Sequence, residues 1–513
     1  MTASARANPP GECSRVWRRL MIASLLPLLA LVVLYAADVP IGTPGYLVYR
    51  YSPLTALRLP RALAGLLIGG LGILALWRGM RADGSIVGSA FVAAGASWCA
   101  LVVWTFVAPP MCVAQHVFNL ESPSHEGAFV REARGVSSIN DYVSIQFHER
   151  LQKDPERMRG TRVLSNPQGM TVAAVLVKRF VDASPRLQST MDRCFSLDED
   201  MEPEQRRIFA QQLILAMLLT AAWGAALIFG YRLCRLWMPP LAAVAVAFAC
   251  VFNPATVNFT PGKDPAQVLT VLLILYTGLA GYVRSSRALS LSCGVVFALS
   301  LTIGLVHVWI VVILAAATLW HGWQHGDGIP RWLRRCVLPA SAGFAAGAFM
   351  LYAALDWNVI KSTYEIARRY PEIQRYLING VWTLVGVPMF LLFAGPMFWC
   401  LLTALRPGRI DASAALGRCL TVSATVVMTY SYFFANNNET PRLWIPFLAF
   451  VPVVMAMRRD VFRRDSPGHR RICLMLLALQ IVVSVLHWSL MDVRESEYRL
   501  LPGEDGSPPR MWD

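Results

Sequence analysis

Long apolar segments alternate with short charged loops through almost the whole chain. In hydrocarbon every backbone polar group must be bonded internally, so an apolar run of about 20 residues predicts a transmembrane helix. Thirteen segments fit this pattern, and they centre on residues 21–37, 61–77, 85–107, 208–230, 239–253, 266–282, 289–305, 307–320, 337–354, 380–404, 414–434, 442–457 and 472–490. The expected fold class is therefore all-α, a polytopic membrane protein with about 13 transmembrane helices.

Two parts of this pattern have a second interpretation. The first segment, MIASLLPLLALVVLYAAD, follows a basic start and ends in small residues, as a secretory signal peptide does. A second apolar segment follows soon after it, which favours a transmembrane helix instead. The two segments between residues 289 and 320 are also compatible with one kinked or re-entrant unit.

The composition agrees with a membrane protein. Of the 513 residues, 55% are hydrophobic and 15% are charged, whereas soluble proteins contain about 25% charged residues. The formal net charge of +15 does not indicate a nucleic acid partner, because the arginines lie beside apolar segments, where they determine topology. The 11 cysteines form no C-x-x-C pair and mostly lie in apolar segments, so they predict no metal site.

The positions of the arginines also predict the orientation, because short loops rich in Lys and Arg stay in the cytoplasm. Arginines precede the first segment and follow the second, fourth, sixth, eighth, tenth and twelfth. We therefore expect a multi-pass protein of the inner (plasma) membrane with its N terminus in the cytoplasm. Five arginines oppose this orientation, namely Arg50, Arg58, Arg61, Arg206 and Arg207.

In this orientation the largest hydrophilic insertion, residues 109–205, is extracytoplasmic. Three further polar segments lie on the same side, TVNFTPGKDPAQ, DWNVIKSTYEIARRYPEIQRY and NNNETPRLW. All four would then meet at one membrane surface. Cys112 and Cys194 of the insertion either form a disulfide or remain two unpaired thiols, since sequence alone supplies no geometry.

The insertion itself contains two helical patterns. HEGAFVREARG predicts a short amphipathic helix. SNPQGMTVAAVLVKRFVD predicts a second helix, with Asn166 as its N-cap and Pro167 at its first position. This helix is too short and too charged to span a membrane, so we expect it to lie in the interface.

The motifs of the insertion resemble a known family. His125-Glu126-Gly127 soon after a span, then Asp141, then Ser165-Asn166-Pro167-Gln168-Gly169 before an interfacial helix, is similar to the first extracytoplasmic loop of the GT-C superfamily. FFANNNETPRLWIPFLAF resembles an N-x-x-E-x-x-R-L-W element of bacterial members, and the general layout is also similar. The chain departs from the family pattern in having His125 where Asp is frequent, and in lacking the His and second Pro of an H-P-P-G motif.

The resemblance implies a domain organisation and a function. It divides the chain into residues 1–84, a cytoplasmic tail with two additional helices; residues 85–460, the GT-C-like core; and residues 461–513, the last helix and a polar tail. Members of the superfamily are membrane glycosyltransferases. The chain resembles bacterial mannosyltransferases of this superfamily, which implies transfer of a sugar from a polyprenyl-phosphate donor to an extracytoplasmic lipid, glycan or protein.

Glycosyl transfer passes through an oxocarbenium-like state, in which a carboxylate takes the proton of the attacking hydroxyl. The resemblance implies that Glu126 is this general base, with Glu121 and Asp141 as alternatives. These three carboxylates also offer hard oxygen ligands, which leaves a divalent metal open, although no spacing demands one.

Other polar residues are candidates for binding the substrate. By resemblance, His125, Asn166 and Gln168 belong to the substrate-binding part of the loop. The leaving polyprenyl phosphate needs cationic partners at the headgroup level, which Lys263 and Arg442 can supply, with Glu439 orienting Arg442. We expect His307, at the junction of two segments, to be a hydrogen-bonded structural residue.

Two other classes of function compete with a transferase. A secondary transporter would be expected to place ionisable residues near the bilayer midplane and often to show a repeated half. This chain keeps nearly all of them at the ends of its apolar segments, and no convincing repeat is present. A non-catalytic GT-C relative, acting as a scaffold or lipid-binding partner, fits the departures from the family motifs.

Overall fold

The structure is a computed structural model. It describes residues 22, 25–37, 41–42, 48–51, 59–79, 120, 126–153, 163–164, 166–195, 202–326, 328–374, 390, 392–396, 412–435, 444–450 and 467–492. Regular structure in these residues is almost entirely helical, which confirms the all-α fold class.

The α-helices follow the chain from α1 to α18. They are α1 (Leu25–Ala36), α2 (Leu59–Gly79), α3 (Gly127–Arg134), α4 (Ile139–Asp141), α5 (Phe147–Lys153), α6 (Gly169–Asp182), α7 (Pro185–Phe195), α8 (Pro203–Cys234), α9 (Pro240–Val251), α10 (Pro254–Asn258), α11 (Lys263–Val283), α12 (Arg287–Ser300), α13 (Val306–Gln324), α14 (Gly328–Trp332), α15 (Leu338–Leu355), α16 (Val359–Gln374), α17 (Ala412–Ala435) and α18 (Pro467–Leu490).

Short elements of other kinds join these helices. A π-helical turn, Tyr142–Gln146, joins α4 to α5, and a second, Leu333–Val337, joins α14 to α15. A 3₁₀ helix covers Ile445–Phe450. Three very short antiparallel strands, β1 (Ile41–Gly42), β2 (Val48–Tyr51) and β3 (Met491–Asp492), pair in that order.

Four helices are long and apolar enough to cross a membrane. They are α8, α11, α13 and the continuous helix Gly328–Leu355. Shorter apolar helices cover parts of six other predicted segments, and they include α1, α9 and α12. The protein is thus an all-α membrane protein, whereas thirteen spans remain a prediction. Segment 85–107 and most of segment 380–404 lie outside the described residues.

Three predicted segments differ from a regular spanning helix. Segment 239–253 contains the 12-residue helix α9, which has prolines at both ends and is buried from Leu241 to Val251. The helix in segment 289–305 ends at Ser300, so this segment and the next one form two separate helices. The described part of segment 442–457 contains a six-residue 3₁₀ helix. Apolar runs of 10–14 residues are more typical of buried helices than of spans.

Two hydrophobic clusters organise the described chain. The larger one, the membrane cluster, is built mainly from α8, α9, α11, α13, α17 and α18. The smaller one, the loop cluster, joins the N-terminal half of α8 with α3, α5, α6 and α16, and it includes Phe129, Phe147 and Val175. The described helices of the insertion therefore pack as a cap against the N-terminal half of α8.

The second helix of the insertion begins later than predicted. Asn166 does not cap it, because α6 starts at Gly169 and its N-cap is Gln168, which makes no side-chain cap hydrogen bond. The Asn166 side chain instead accepts a hydrogen bond from the Lys263 ammonium. Val175 of α6 packs into the loop cluster, while Leu176 and Phe180 are exposed. The interfacial position of α6 stays a prediction.

Candidate functional site at the N-terminal end of α11

The first turn of α11 is an unusually polar part of the protein interior. Lys263, Asp264 and Gln267 are all buried there, with 5%, 5% and 2% of their surfaces exposed. Gly262, the N-cap of α11, has an extended backbone and offers no side chain to the helix end. The unsatisfied N–H groups of this turn therefore need an acceptor from elsewhere in the chain.

Glu126 supplies that acceptor. The backbone N–H of Lys263 donates to Glu126 Oε1 at 3.0 Å, although the two residues are 137 positions apart. Glu126 immediately precedes α3 and is only 4% exposed. A carboxylate is favoured at this place because the N-terminal end of a helix carries partial positive charge.

The Lys263 ammonium contacts an amide oxygen and a carboxylate. It donates to Asn166 Oδ1 and lies 3.8 Å from Asp264 Oδ1. Gln267 Nε2 in turn donates to Asp264 Oδ1 at 3.3 Å. Buried charges are tolerated when they are paired and hydrogen-bonded, which describes Lys263 and Asp264. We call Glu126, Asn166, Lys263, Asp264 and Gln267 the polar cluster.

The turn between α12 and α13 encloses the polar cluster from another side. Gly304 lies against Gln267, since a Cβ atom at Gly304 would be 2.6 Å from Gln267 Oε1. His307 Nδ1 donates to the Gly304 carbonyl at 2.7 Å, and its Nε2 lies 2.8 Å from Thr270 Oγ1. The interpretation of His307 as a hydrogen-bonded structural residue agrees with these contacts.

The loop that leads into α6 is held on the same turn. The Gly169 N–H donates to the Thr302 carbonyl at 2.7 Å. A Cβ atom at Gly169 would lie 2.3 Å from that oxygen, so only glycine permits this approach. The neighbouring Gln168 is 1% exposed, and its Nε2 donates to Ser362 Oγ of α16 at 3.3 Å.

A second polar group, absent from the sequence analysis, continues from Gln168. His148 of α5 is 5% exposed; its Nδ1 hydrogen-bonds Glu365 Oε2, and its Nε2 lies 3.5 Å from Ser362 Oγ. We call Gln168, Ser362, His148 and Glu365 the relay. Each bond of the relay joins the insertion to α16 across more than 190 residues. The sequence showed only that Ser362 and Glu365 lie on one face of a helix.

Tyr142 packs in the loop cluster, with its ring 6.2 Å from that of Phe147, the residue before His148. It is 1% exposed within the π-helical turn, and burial, together with the nearby Glu132 charge, raises the pKa of its phenol. The Arg150 guanidinium donates to Glu132. π-helical turns are frequent at functional sites, and this one occurs in the helix that carries His148.

The structure brings some predicted site residues together and separates others. Glu126 and Asn166 each contact Lys263, and Gln168 follows Asn166 by two positions in the chain. Asp141 is exposed, and its described hydrogen bond is that of its backbone N–H to Ser138 Oγ, so it is not part of the cluster. Four candidates lie outside the described residues, namely Glu121, His125, Glu439 and Arg442.

The described residues test the predictions about a metal site and a disulfide only in part. Among the described residues no three His, Cys, Asp or Glu side chains are arranged to hold a metal ion. Glu121, one of the three carboxylates considered for a metal, is not among those residues. Cys194 is an exposed free cysteine, and Cys112 lies outside the described residues.

Comparison with known proteins assigns the chain to no family. No model of a known protein family matches the chain. A search of curated proteins finds no similar sequence. The fold and the site therefore establish only the class of protein. It is an all-α membrane protein with a buried ionic cluster at one end of a candidate spanning helix.

Proposed function

We propose that the protein is a membrane glycosyltransferase of the GT-C type. It moves a sugar from a polyprenyl-phosphate donor to an extracytoplasmic lipid, glycan or protein acceptor. The observation that carries this proposal is the buried Glu126 carboxylate at the N-terminal end of α11, where it accepts a hydrogen bond from the backbone N–H of Lys263. A lipid-linked substrate presents its phosphate and sugar at that level of a membrane.

The proposed reaction assigns a role to each part of the cluster. The acceptor hydroxyl attacks the anomeric carbon, the bond between that carbon and the phosphate oxygen breaks, and Glu126 takes the hydroxyl proton. Lys263 stabilises the negative charge that grows on the leaving phosphate. The hydrogen bond from the Lys263 N–H fixes the Glu126 carboxylate in place.

The contacts of the insertion support the proposed topology. Glu126 and Asn166 contact the start of α11, and His148 contacts Glu365 of α16. Three of the four polar segments expected on one membrane surface thus meet. The proposal places this surface outside the inner membrane and the N terminus in the cytoplasm, with residues 85–460 as the transferase core.

The test compares wild type with Glu126→Ala in membranes of a host that lacks the gene. Both are brought to equal folded amounts, and transfer is measured from a panel of radiolabelled polyprenyl-phosphate sugars. We expect transfer by wild type and loss of about 100-fold or more in the variant. Asp182→Ala, which removes an exposed carboxylate at the end of α6, is the matched control and retains transfer.

Other outcomes have definite meanings. Transfer that survives Glu126→Ala moves the general base to Glu121 or Asp141. No transfer by wild type from any donor in the panel contradicts the proposed activity and favours a second candidate, a non-catalytic lipid-binding relative. The specific observation behind that candidate is the hydrogen bond from the Lys263 N–H, through which Glu126 serves as a helix cap.

A further inference from the structure

The relay leaves one buried hydrogen-bonding atom unused. Gln168 is 1% exposed, and its Oε1 accepts no hydrogen bond within the described residues. A buried acceptor without a partner is costly, and native proteins retain few of them. An acceptor in this position is therefore suited to a partner that arrives with a ligand.

The direction of the relay follows from the chemistry of its members. The Glu365 carboxylate only accepts, so His148 carries a proton on Nδ1. When Nε2 of His148 carries no proton, Ser362 donates to it and accepts from Gln168 Nε2, whereas Gln168 Oε1 would find no donor in Ser362. In this arrangement the relay uses Nε2 of Gln168 and leaves Oε1 for another partner.

The position of Gln168 connects the relay with the polar cluster. Two residues earlier, Asn166 binds the Lys263 ammonium, and one residue later, Gly169 is bonded to Thr302. Asn166 is thereby held at the end of α11, and Gly169 is held at the turn between α12 and α13. The loop that carries Gln168 therefore adjoins the polar cluster through Asn166.

We propose that Gln168 Oε1 accepts a hydrogen bond from a hydroxyl group of the bound sugar, and that Ser362, His148 and Glu365 are positioning residues that orient the Gln168 amide. This inference rests on the proposed function and adds a specificity determinant to it. Gln168 distinguishes a sugar-bearing polyprenyl phosphate from a bare one, because only the former offers a hydroxyl donor. The Lys263 ammonium binds the phosphate that both lipids share.

The test measures binding through thermal unfolding of the full chain in detergent. Wild type is titrated with polyprenyl phosphate and with a panel of polyprenyl-phosphate sugars, and so are Gln168→Met and the control Gln146→Met, which changes an exposed glutamine of the π-helical turn. We expect wild type and the control to bind one of the sugar-linked lipids more tightly than the bare lipid. Gln168→Met should lose about tenfold in affinity for that lipid and keep its affinity for the bare one.

Variants of Ser362 test the positioning role separately. Ser362→Ala removes the link between Gln168 and His148, so it should weaken binding of the sugar-linked lipid while leaving the bare lipid unaffected. Ser362→Thr restores the hydroxyl and should restore the preference, which a purely structural role would not produce. If Gln168→Met does not fold, Ser362→Ala still tests the inference.

The two proposals fail in different ways. If wild type prefers the sugar-linked lipid and both Gln168→Met and Ser362→Ala keep the full preference, the inference about Gln168 is wrong and the transferase proposal stands. If wild type responds to neither lipid, the transferase proposal is contradicted and the inference falls with it.

Discussion

Three buried side chains in the first turn of α11 are ionic or carry an amide, whereas α12 and α15 approach each other closely at glycines. At α11, Lys263 and Asp264 are each 5% exposed. At the other contact, a Cβ atom at Gly343 would lie 2.0 Å from the Leu291 carbonyl, and one at Gly294 would lie 1.8 Å from the Ala340 carbonyl. One region is held by hydrogen bonds and charge, and the other by close approach of two backbones.

This difference indicates where function is located. Helices in lipid associate through small residues because lipid tails are as apolar as leucine, so the contact between α12 and α15 needs no other explanation. Buried ionic groups are costly even when paired, and a hydrophobic replacement is often as stable. Stability alone therefore does not explain why the polar cluster contains buried charged residues.

The largest expected effect on stability comes from Lys263→Met. Removing one partner of a buried ion pair leaves the Asp264 carboxylate without its cation, and we expect a loss of about 3 kcal/mol in the free energy of unfolding. The double variant with Asp264→Asn should recover part of this loss. Denaturant unfolding in detergent measures both, and Lys361→Met, at an exposed lysine, is the control.

Gly343→Ala should have the next largest effect. A methyl group placed 2.0 Å from the Leu291 carbonyl forces α15 away from α12, and overpacking of this kind costs about 2 kcal/mol. The matched control is Gly70→Ala in α2, where nothing lies within 4 Å of the added methyl. Equal stability of the two alanine variants would show that the contact between α12 and α15 is looser than described.

Asn166→Ala should have the smallest effect of the three. It removes the amide oxygen that accepts from the Lys263 ammonium, and hydrogen bonds to charged groups contribute about 1.5 kcal/mol. Asn140→Ala, at an exposed asparagine of α4, controls for the loss of an amide. The same unfolding measurement applies, and if Asn166→Ala matched its control, Asn166 would not be part of the polar cluster.

Local patterns in the sequence predicted several elements correctly. Apolar length indicated α8, α11 and α13, and amphipathic spacing indicated α3 in the insertion. Gly343 and Gly347 of α15 form a G-x-x-x-G pattern, which is typical of close helix packing but does not identify α12 as the partner.

Properties that depend on distant contacts could not be predicted in the same way. Asn166 has the composition of a helix cap, but the Lys263 ammonium, 97 residues later, binds its side chain instead. His148 and Glu365 show no motif and become a pair only when α5 packs near α16. Hydropathy also does not separate a span from a short buried helix such as α9.

The central claim is that Glu126 is a catalytic carboxylate and not only a cap for α11. Glu126→Gln separates these roles, because a glutamine Oε1 still accepts the Lys263 N–H but the amide cannot take a proton at neutral pH. The decisive measurement is the transfer rate of this variant from the donor that wild type uses, with its unfolding midpoint measured alongside. We predict an unfolding midpoint close to that of wild type and a rate lower by about 100- to 10,000-fold. A variant as stable and as active as wild type would contradict the account.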